Sequence, residues 1–589
     1  MNPLKFLTVL LLMAVQAHAR PNVVFIIADD QGYGDLACHG NPVIKTPHLD
    51  KLFSESTVLT DYHVAPTCSP TRSSLLTRHW TNRTGVWHTI NGRSMLRANE
   101  VTLGQHFSED YATAMFGKWH LGDNYPYRPE DRGFEEVYRH GGGGVGQTPD
   151  LWDNAYFDGS YFHNGKIVPA KGFCTDVFFE KAHDFIKAKA AAKEPFLAYI
   201  STNAPHGPLH CPQKYLDLYQ DQKPAIAAFF GMITNIDDNV GTTRKLLADL
   251  GIADNTIFIF TTDNGTASGA EIFNAGMRGK KGSAYDGGHR VPMFIHWPAG
   301  GLNKHREIDT LCHAVDVVPT LLDACEVPNE AGVKFDGLSL KDLLDPKADI
   351  QWPDRFLITD SQRVVDPIKW RQSSVMSQQF RLINGKELYD IKADPGQEND
   401  IAANNPGQVQ KMRDFYDAWW AELSPTFSQT TEIHLGHPDH PQVSMTGHDW
   451  ISSAGPPWNQ AHIRDLAAQV KAPENLSHWA VKVLTPGTYE ITVRRWPTEA
   501  SHPITAPLPP GEHVPGASKA FRARPGKPLK TQTAVLRIDN KDLDSKPVSA
   551  TDTAITFTVE LTAGSHKLAP YFKLAKGILG GYYCTVTKR

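Results

Sequence analysis

The chain of 589 residues is longer than one ordinary hydrophobic core supports, so its length predicts two or more domains. Hydrophobic residues make up 41% of the chain and charged residues 21%, which is typical of a soluble globular protein and argues against a disordered chain. The formal net charge of -5 gives no indication of a nucleic-acid partner, so an anionic substrate requires a local cluster of cationic side chains.

The first 19 residues have the pattern of a secretory signal peptide. Lys5 precedes an apolar run at residues 6–15, and Ala17 and Ala19 supply the small residues that a signal peptidase reads. The run is too short to span a bilayer. We therefore expect residues 1–19 to be removed and the protein to be secreted or periplasmic, without a membrane span. A buried strand or an anchor is the alternative for this segment.

Residues 20–350 alternate short apolar strands with helical patterns. The pattern predicts strands at residues 22–28, 196–201, 256–261 and 292–297, and helices at residues 73–78, 174–192 and 225–250. This alternation is typical of an α/β domain with a mostly parallel central sheet flanked by helices. Asp29 and Asp30 follow the first strand, and Asp263 and Asn264 follow a later one. Ligands bind outside the carboxyl ends of such strands, which makes these four residues candidates for a binding site.

After residue 350 the pattern changes. Residues 351–425 combine short strands with an amphipathic helix, which predicts a small α+β subdomain. Residues 426–477 are rich in Pro, Gly and His and are expected to form an irregular connection. Residues 478–589 contain strand patterns punctuated by Gly and Pro, so they predict a C-terminal all-β sandwich.

Cys68 begins the most informative motif of the chain, the run CSPTR at residues 68–72. Pro70 suits the first turn of a helix, and helix-forming residues follow it. Cys68 would then lie at a helix N-terminus, where backbone N–H groups favour an anion. The chain has seven cysteines, an odd number, so disulfide pairing leaves at least one thiol unpaired. In an oxidising compartment an unpaired thiol is either reactive or modified. A buried or disulfide-bonded cysteine is the alternative for Cys68.

The C-x-P-x-R motif at residues 68–72 resembles the signature of the type I, formylglycine-dependent sulfatases, and the resemblance runs through about residues 20–425. It implies an alkaline-phosphatase-like fold and a sulfuric ester hydrolase. In this family a maturation enzyme oxidises the cysteine to formylglycine (3-oxoalanine), whose hydrate attacks sulfur and then expels sulfate by re-forming the carbonyl. The resemblance assigns Cys68 as the modified nucleophile and Arg72 as the cation that holds it.

A divalent cation is expected beside Cys68. Asp29, Asp30, Asp263 and Asn264 offer hard oxygen ligands, which suit calcium or magnesium and argue against zinc. The family's calcium ligands match these positions, so the resemblance implies Ca²⁺, with Mg²⁺ as the alternative, bound by these residues and by the modified Cys68. The ion would activate the nucleophile and act as a Lewis acid.

Two further motifs carry groups that match the family. Lys118 and His120 lie in the run GKWHLG and match residues that contact the nucleophile and the sulfate ester. His206 lies in the run APHGP, just after a predicted strand, and matches the general acid that protonates the leaving alcohol.

Lys281 begins a third motif, KGSAYDGGHRVP, which resembles the family's K-G-x-x-Y-E-G-G-x-R-x-P with Asp286 in the place of Glu. The resemblance implies that Lys281 binds sulfate, and the adjacent Lys280 is the alternative. With the other cationic side chains, Lys281 would supply the local positive charge that the whole chain lacks and stabilise the sulfate oxygens.

Two other functions stay open from the sequence alone: a phosphonate or phosphate ester hydrolase, and an inactive, glycan-binding homologue. An export signal together with an aromatic-rich loop favours a sulfated saccharide or polysaccharide as substrate. The aromatic residues of this loop are Trp152, Tyr156, Phe157, Tyr161 and Phe162. They either stack on sugar rings or pack against other residues of the protein. The C-terminal β region is expected to pack against the catalytic domain rather than to bind a ligand.

Overall fold

The computed structural model describes residues 20–329, 332–452 and 455–589, so the expected signal peptide at residues 1–19 lies outside the described residues. Among the described residues, no helix is long and apolar enough to cross a membrane. The strands of the first region are β1 (Asn22–Ala28), β2 (Thr57–Leu59), β3 (Tyr62–His63), β4 (Ala112–Gly117), β5 (Glu136–Arg139), β6 (Ser160–His163), β7 (Lys166–Pro169), β8 (Phe196–Ser201), β9 (Thr256–Thr262), β10 (Met293–His296), β11 (Arg306–Ile308) and β12 (Cys312–His313). Its helices are α1 (Pro47–Ser54), α2 (Cys68–Thr77), α3 (Thr81–Thr84), α4 (Leu103–Phe107), α5 (Cys174–Ala192), α6 (Gln213–Leu216), α7 (Pro224–Asp249), α8 (Val317–Cys325) and α9 (Lys341–Leu344).

A ten-stranded sheet forms the centre of this region, with the strand order β11-β2-β10-β9-β1-β8-β4-β5-β6-β7. The neighbouring strands β9, β1, β8, β4 and β5 run parallel to one another. β10 is antiparallel to β9, and β6 and β7 add antiparallel strands at the other end. The mostly parallel sheet with flanking helices confirms the predicted α/β class.

Both faces of β1 are buried, as its uninterrupted apolar sequence predicts. Val23, Phe25 and Ile27 join the hydrophobic core that the sheet shares with α2 and α8. Val24 and Ile26 join the core on the opposite face, which is shared with α5 and α7. This double burial places β1 in the middle of the sheet, so the residues that follow it lie between the ends of β8 and β9.

The second region forms a small sheet covered by a helix. Its elements are β13 (Leu357–Asp360), β14 (Ser373–Met376), β15 (Phe380–Ile383), β16 (Glu387–Asp390) and α10 (Pro406–Leu423). The four strands are antiparallel and follow one another in chain order. Met412 and Tyr416 of α10 are buried with Val375 and Leu382 of the sheet, because the apolar residues of the helix recur every three or four positions.

The C-terminal region is built from two further sheets. Its elements are β17 (Ile433–Leu435), β18 (Gln442–Thr446), α11 (Gln460–Arg464), β19 (Trp479–Val483), β20 (Gly487–Arg494), β21 (Thr531–Ile538), β22 (Lys541–Pro547), β23 (Ile555–Leu561), β24 (Gly564–Leu568), β25 (Tyr571–Leu574), β26 (Ile578–Gly580) and β27 (Tyr583–Lys588). One sheet has seven strands and the other, β18-β27-β20-β23, has four. Alternate residues of β20, such as Tyr489 and Ile491, are buried in a core to which both sheets contribute.

Two strands of these sheets lie in residues 426–477, which the sequence predicts as an irregular connection. β17 pairs with β19 in parallel, and β18 pairs with β27 in antiparallel orientation. Both strands alternate apolar and polar side chains, but they have only three and five residues and lie in a stretch rich in Pro, Gly and His, so the short alternation does not stand out from an irregular segment. The C-terminal β structure therefore begins before residue 478.

Candidate active site

Four neighbouring parallel strands end at one edge of the central sheet, and polar side chains follow each of them. The strands end at the same level because Ala28 pairs with Thr262 and Gly117 pairs with Ser201. The side chains that follow are Asp263 and Asn264 after β9, Asp29 and Asp30 after β1, His206 after β8, and Lys118 and His120 after β4. This edge therefore brings together most of the side chains that the sequence indicates.

Gly117 allows β4 to end directly against β8. Its φ of 105° lies in the left-handed region, and a Cβ atom there would collide with the carbonyl oxygen of Ser201. The next residue, Lys118, donates its backbone N–H to that same carbonyl at 2.7 Å. Glycine is required at this position because only a residue without a side chain lets the two strands approach this closely.

Cys68 is the first residue of α2, as the position of Pro70 predicts, and every residue of this helix is buried. The sulfur of Cys68 and carboxylate oxygens of Asp29 and Asp263 all lie within 4.8 Å of one another. The N-terminus of a buried helix thus faces two carboxylates, an arrangement that the helix dipole stabilises.

Arg72 lies one turn after Cys68 and is fully buried. Its guanidinium donates two hydrogen bonds to Oδ2 of Asp263, at 3.1 and 2.7 Å. It also donates to the carbonyl of Lys118 at 3.2 Å and to the hydroxyl of Ser201. One buried cation therefore ties the ends of β9, β4 and β8 to helix α2 through charge-assisted hydrogen bonds.

Two lysines pair with the aspartates that follow β1. Nζ of Lys118 lies 2.6 Å from Oδ2 of Asp29, and Nζ of Lys281 contacts Oδ1 of Asp30. Lys280 is exposed, so Lys281 is the lysine of this pair that reaches the site. Burial acts to raise the pKa of Asp30, but the charges of Lys281 and the neighbouring cations outweigh it and hold that pKa below its ordinary value.

Two buried oxygens of this cluster, Oδ1 of Asp29 and Oδ1 of Asn264, have no hydrogen-bond partner among the described residues. A buried polar atom without a partner costs about 1–3 kcal/mol. Burial, together with the charge of Asp29, also raises the pKa of Asp263 above its ordinary value. Both oxygens could coordinate a divalent cation, and the charge of the cation would offset the repulsion between the carboxylates. These residues therefore fit Ca²⁺ or Mg²⁺.

Each histidine of the site is held in one tautomer by a backbone carbonyl. Nδ1 of His206 lies 2.7 Å from the carbonyl of Gly207, and Nε2 of His120 lies 2.9 Å from the carbonyl of Thr89. These nitrogens must donate, which leaves Nε2 of His206 and Nδ1 of His120 as the nitrogens that can accept a proton or a hydrogen bond. Burial lowers the pKa of His206 to about 4 and lowers the pKa of His120 well below its ordinary value.

Two hydroxyl groups support the site without belonging to any motif that the sequence indicates as catalytic. The hydroxyl of Ser201 donates to the carbonyl of Lys118 at 2.8 Å and accepts from Arg72. The hydroxyl of Tyr156 reaches the carbonyls of Asn203, at 3.0 Å, and of His206. A polar residue at the end of a buried strand is the signal that would have indicated Ser201, because burial there requires a partner.

The aromatic-rich loop packs within the protein. Tyr156 and Tyr161 are fully buried, and the ring of Trp152 lies 5.5 Å from that of Trp496 in the C-terminal region. The guanidinium of Arg464 also covers Trp152. Of the two alternatives that the sequence leaves open for these aromatic residues, the structure supports packing.

The C-terminal region reaches the active site through His448. Its ring lies 6.1 Å from the ring of His120, and its carbonyl accepts the backbone N–H of Asn91 at 3.3 Å. His448 is 2% exposed, and its Nε2 atom has no partner among the described residues. The residues before β19 thus form part of the wall around the site, which no sequence motif indicates.

Two family models match the chain. The model described as Sulfatase matches residues 21–327, which is more than half of the 589 residues. The model described as N-sulphoglucosamine sulphohydrolase, C-terminal, matches residues 279–415. Together the two matches include the central sheet and most of the four-stranded sheet region that follows it.

Known proteins are similar to more than half of the chain. Arylsulfatase J of Mus musculus is 29% identical over 469 residues, which cover 67% of this chain and 75% of that protein. N-acetylgalactosamine-6-sulfatase of Sus scrofa is 31% identical, over 54% of this chain and 65% of that protein. The crystal structure of Ps i-CgsB in complex with k-i-k-neocarrahexaose has a TM-score of 0.63 and 26% identity, and it covers 69% of this chain and 94% of that one.

Proposed function

Because the chain belongs to the sulfatase family and is therefore a hydrolase of sulfate esters, we propose that it releases sulfate from a sulfated saccharide or polysaccharide with a nucleophile formed from Cys68. The observation that supports this proposal is the cluster of Cys68, paired carboxylates and buried cations at one edge of the sheet. The similar proteins include an N-acetylgalactosamine-6-sulfatase and a protein crystallised with k-i-k-neocarrahexaose, which supports a saccharide substrate.

Asp29, Asp30, Asp263 and Asn264 would hold a divalent cation, and we propose Ca²⁺, with Mg²⁺ as the alternative. When bound, the ion supplies a Lewis acid and offsets the negative charge of the carboxylates. Formylglycine, formed from Cys68 by a maturation enzyme, would supply a hydrated aldehyde as the nucleophile toward sulfur. The leader-like residues 1–19 support export to the periplasm or out of the cell, where such an enzyme meets polysaccharides.

The buried cations would bind the sulfate group and stabilise the charge that develops on its oxygens. Lys118 and Lys281 each have an ammonium group with three donors, of which the aspartate partners occupy one. Arg72 remains paired with Asp263 and holds residue 68 against the end of β9. Such donors stabilise a transition state more in a buried site than in water, because the local dielectric constant is lower.

The two histidines would transfer the protons. Nδ1 of His120 is an acceptor with no partner among the described residues, so it can take the proton of the attacking hydroxyl. His206 would give a proton through Nε2 to the oxygen of the leaving alcohol. Burial lowers its pKa to about 4, so the histidine is neutral in the free protein, and a bound anionic sulfate would raise that pKa toward the working range.

Sulfate release from a panel of sulfated mono- and oligosaccharides tests this function. Protein produced together with a maturation enzyme should carry an aldehyde at residue 68, which mass spectrometry of that peptide detects. We expect sulfate release that a chelator abolishes and Ca²⁺ restores. Cys68→Ala should lose it, whereas Cys325→Ala, which removes another buried thiol, should retain it.

Phosphate esters, phosphonate esters and small aryl sulfates complete the panel. Cleavage of phosphate or phosphonate esters alone would contradict the sulfatase activity. Cleavage of aryl sulfates alone would contradict the saccharide substrate. An unmodified thiol in fully active protein would overturn the role of formylglycine, and binding of sulfated glycans without release would show an inactive, glycan-binding homologue.

A further inference from the structure

Arg363, in the loop between β13 and β14, brings a positive charge to the rim of the active site from the second region. Its Nη1 atom lies 3.8 Å from the position that a Cβ atom on Gly282 would occupy, and Gly282 directly follows Lys281. The side chain is exposed and has no hydrogen bond or ion pair with the described residues. The guanidinium is therefore free to bind an anion beside the site of sulfate cleavage.

The backbone fixes this arginine in a conformation that is costly for its residue type. The φ of Arg363 is 46°, in the left-handed region that residues with a side chain rarely adopt. Its N–H donates to the carbonyl of Trp87 at 3.2 Å, and the side chain of Arg371 donates to the carbonyl of Gln362 at 2.6 Å. Such a conformation persists only where the surroundings hold it, and it is found preferentially at functional sites.

His88 supplies a second hydrogen-bond donor. It directly follows Trp87, whose carbonyl accepts the backbone N–H of Arg363. Its Nδ1 accepts the backbone N–H of Thr89 at 2.7 Å, so the proton of the neutral ring is on Nε2. That Nε2–H has no partner among the described residues. Burial, with the charge of Arg363 adding to it, lowers the pKa of His88 to about 3, which keeps the ring a neutral donor.

We propose that Arg363 and His88 form a second anion subsite, which binds a carboxylate or an additional sulfate carried by the saccharide next to the sulfate that is removed. This inference rests on the proposed function and narrows its substrate class to saccharides with two or more negative charges. A guanidinium presents parallel N–H donors that match two oxygens of either anion. The neutral imidazole adds a directed hydrogen bond without a second desolvated charge.

Steady-state kinetics with matched substrates tests the subsite. The substrates are an aryl sulfate, a monosulfated saccharide, a disulfated saccharide, and a monosulfated disaccharide that contains a uronic acid. In Arg363→Ala, the ratio of kcat/KM for either doubly charged saccharide to kcat/KM for the monosulfated one should fall by about tenfold. A fall with the disulfated saccharide alone identifies a sulfate subsite, and a fall with the uronic acid alone identifies a carboxylate subsite.

Lys369→Ala is the control, because Lys369 lies on the same loop but pairs with Asp417 at 2.9 Å. This variant removes the same charge and should leave the ratio unchanged. An equal loss on all substrates in Arg363→Ala, or an equal change in the two variants, would overturn the subsite.

Sulfate release by the unaltered protein separates an error in the proposed subsite from an error in the proposed function. If the unaltered protein releases sulfate from no saccharide, the saccharide substrate is wrong. The subsite is then tested with the same doubly charged saccharides as inhibitors of aryl sulfate hydrolysis. Arg363→Ala should raise their inhibition constants by about tenfold, and unchanged constants would refute the subsite.

Discussion

Through its buried hydroxyl, Tyr156 contacts the backbone of His206, the proposed general acid, which lies 50 residues away in the sequence. Its hydroxyl reaches the carbonyls of Asn203 and His206, which lie on either side of the turn that follows β8. The ring itself stacks on Phe173 with centroids 5.8 Å apart. Because both ends of the tyrosine are fixed, the position of the His206 backbone is fixed as well.

Tyr156→Phe should therefore lower kcat for sulfate release by about tenfold and change KM by less, because a small displacement of His206 weakens proton transfer more than sulfate binding. Tyr161→Phe is the matched control. Tyr161 is equally buried, but its hydroxyl has no hydrogen-bond partner among the described residues. Equal kinetic constants for the two variants would show that the hydroxyl of Tyr156 does not position His206.

At the scale of the elements, Arg381 of β15 joins the second region to the first. Its guanidinium donates to Asp61 at 2.6 Å and to Asp286 at 3.2 Å, and both carboxylates belong to the first region. Asp286 also lies close to His63 and His289, a group of side chains that resembles a metal site. The arginine already supplies the positive charge there, so this cluster is a structural ion pair behind the loop that carries Lys281.

Arg381→Met should destabilise the protein by about 3–5 kcal/mol, because it leaves two buried carboxylates without their cation. Lys369→Ala breaks an exposed ion pair and should cost no more than about 1 kcal/mol. Urea unfolding monitored by fluorescence measures both. A cost for Arg381→Met as small as that of the surface variant would show that the buried pair does not hold the two regions together.

The elements that the sequence predicts best are those with a long apolar or periodic run of residues. β1, β8 and α5 have the predicted bounds. A long apolar run indicates a buried strand, and a long periodic run indicates a helix. The sequence does not predict β22, since all seven of its residues are exposed and it is recognised only by its pairing with β21.

The same limit applies to the active site. The carboxylates at the strand ends and the basic residues each lie in a short sequence motif, so this part of the site could be predicted from the sequence. Ser201, Tyr156, His448 and Arg363 join it only through folding, because their contacts connect residues far apart in the chain. Of these four residues, Ser201 has a local signal, because it is a polar residue at the end of a buried strand, whereas the contacts of the other three cannot be inferred from the residues around them.

At the scale of the whole molecule, all three regions contribute to one site. The first region supplies Cys68 and the strand ends, the second supplies Arg363, and the C-terminal region supplies His448. All seven cysteines are free thiols, so no disulfide links the regions in the described structure. Their association depends on packing and on buried polar contacts, which makes the stability of the molecule sensitive to the ionisation of buried groups.

Two sets of buried groups respond to pH in opposite directions. Burial lowers the pKa of eight histidines outside the catalytic cluster to about 3 or about 4, namely His39, His88, His106, His140, His183, His210, His289 and His478. Burial raises the pKa of four carboxyl groups to about 6 or about 7, namely Asp35, Asp150, Asp237 and Asp360. A tenfold change in the proton affinity of a group on folding corresponds to about 1.4 kcal/mol of stability that depends on pH.

Stability should therefore fall between pH 7 and pH 5. Below a pH of about 6.5 the unfolded chain binds protons on histidines that stay neutral in the folded protein, so acidification favours unfolding. The four aspartates act oppositely, because their folded pKa is raised and the folded protein takes up protons first. The histidines outnumber them, so the urea concentration at the unfolding midpoint should be lower at pH 5 than at pH 7. Asp237→Asn removes one opposing group and should make the fall steeper, whereas an equal or higher midpoint at pH 5 would contradict the buried neutral histidines.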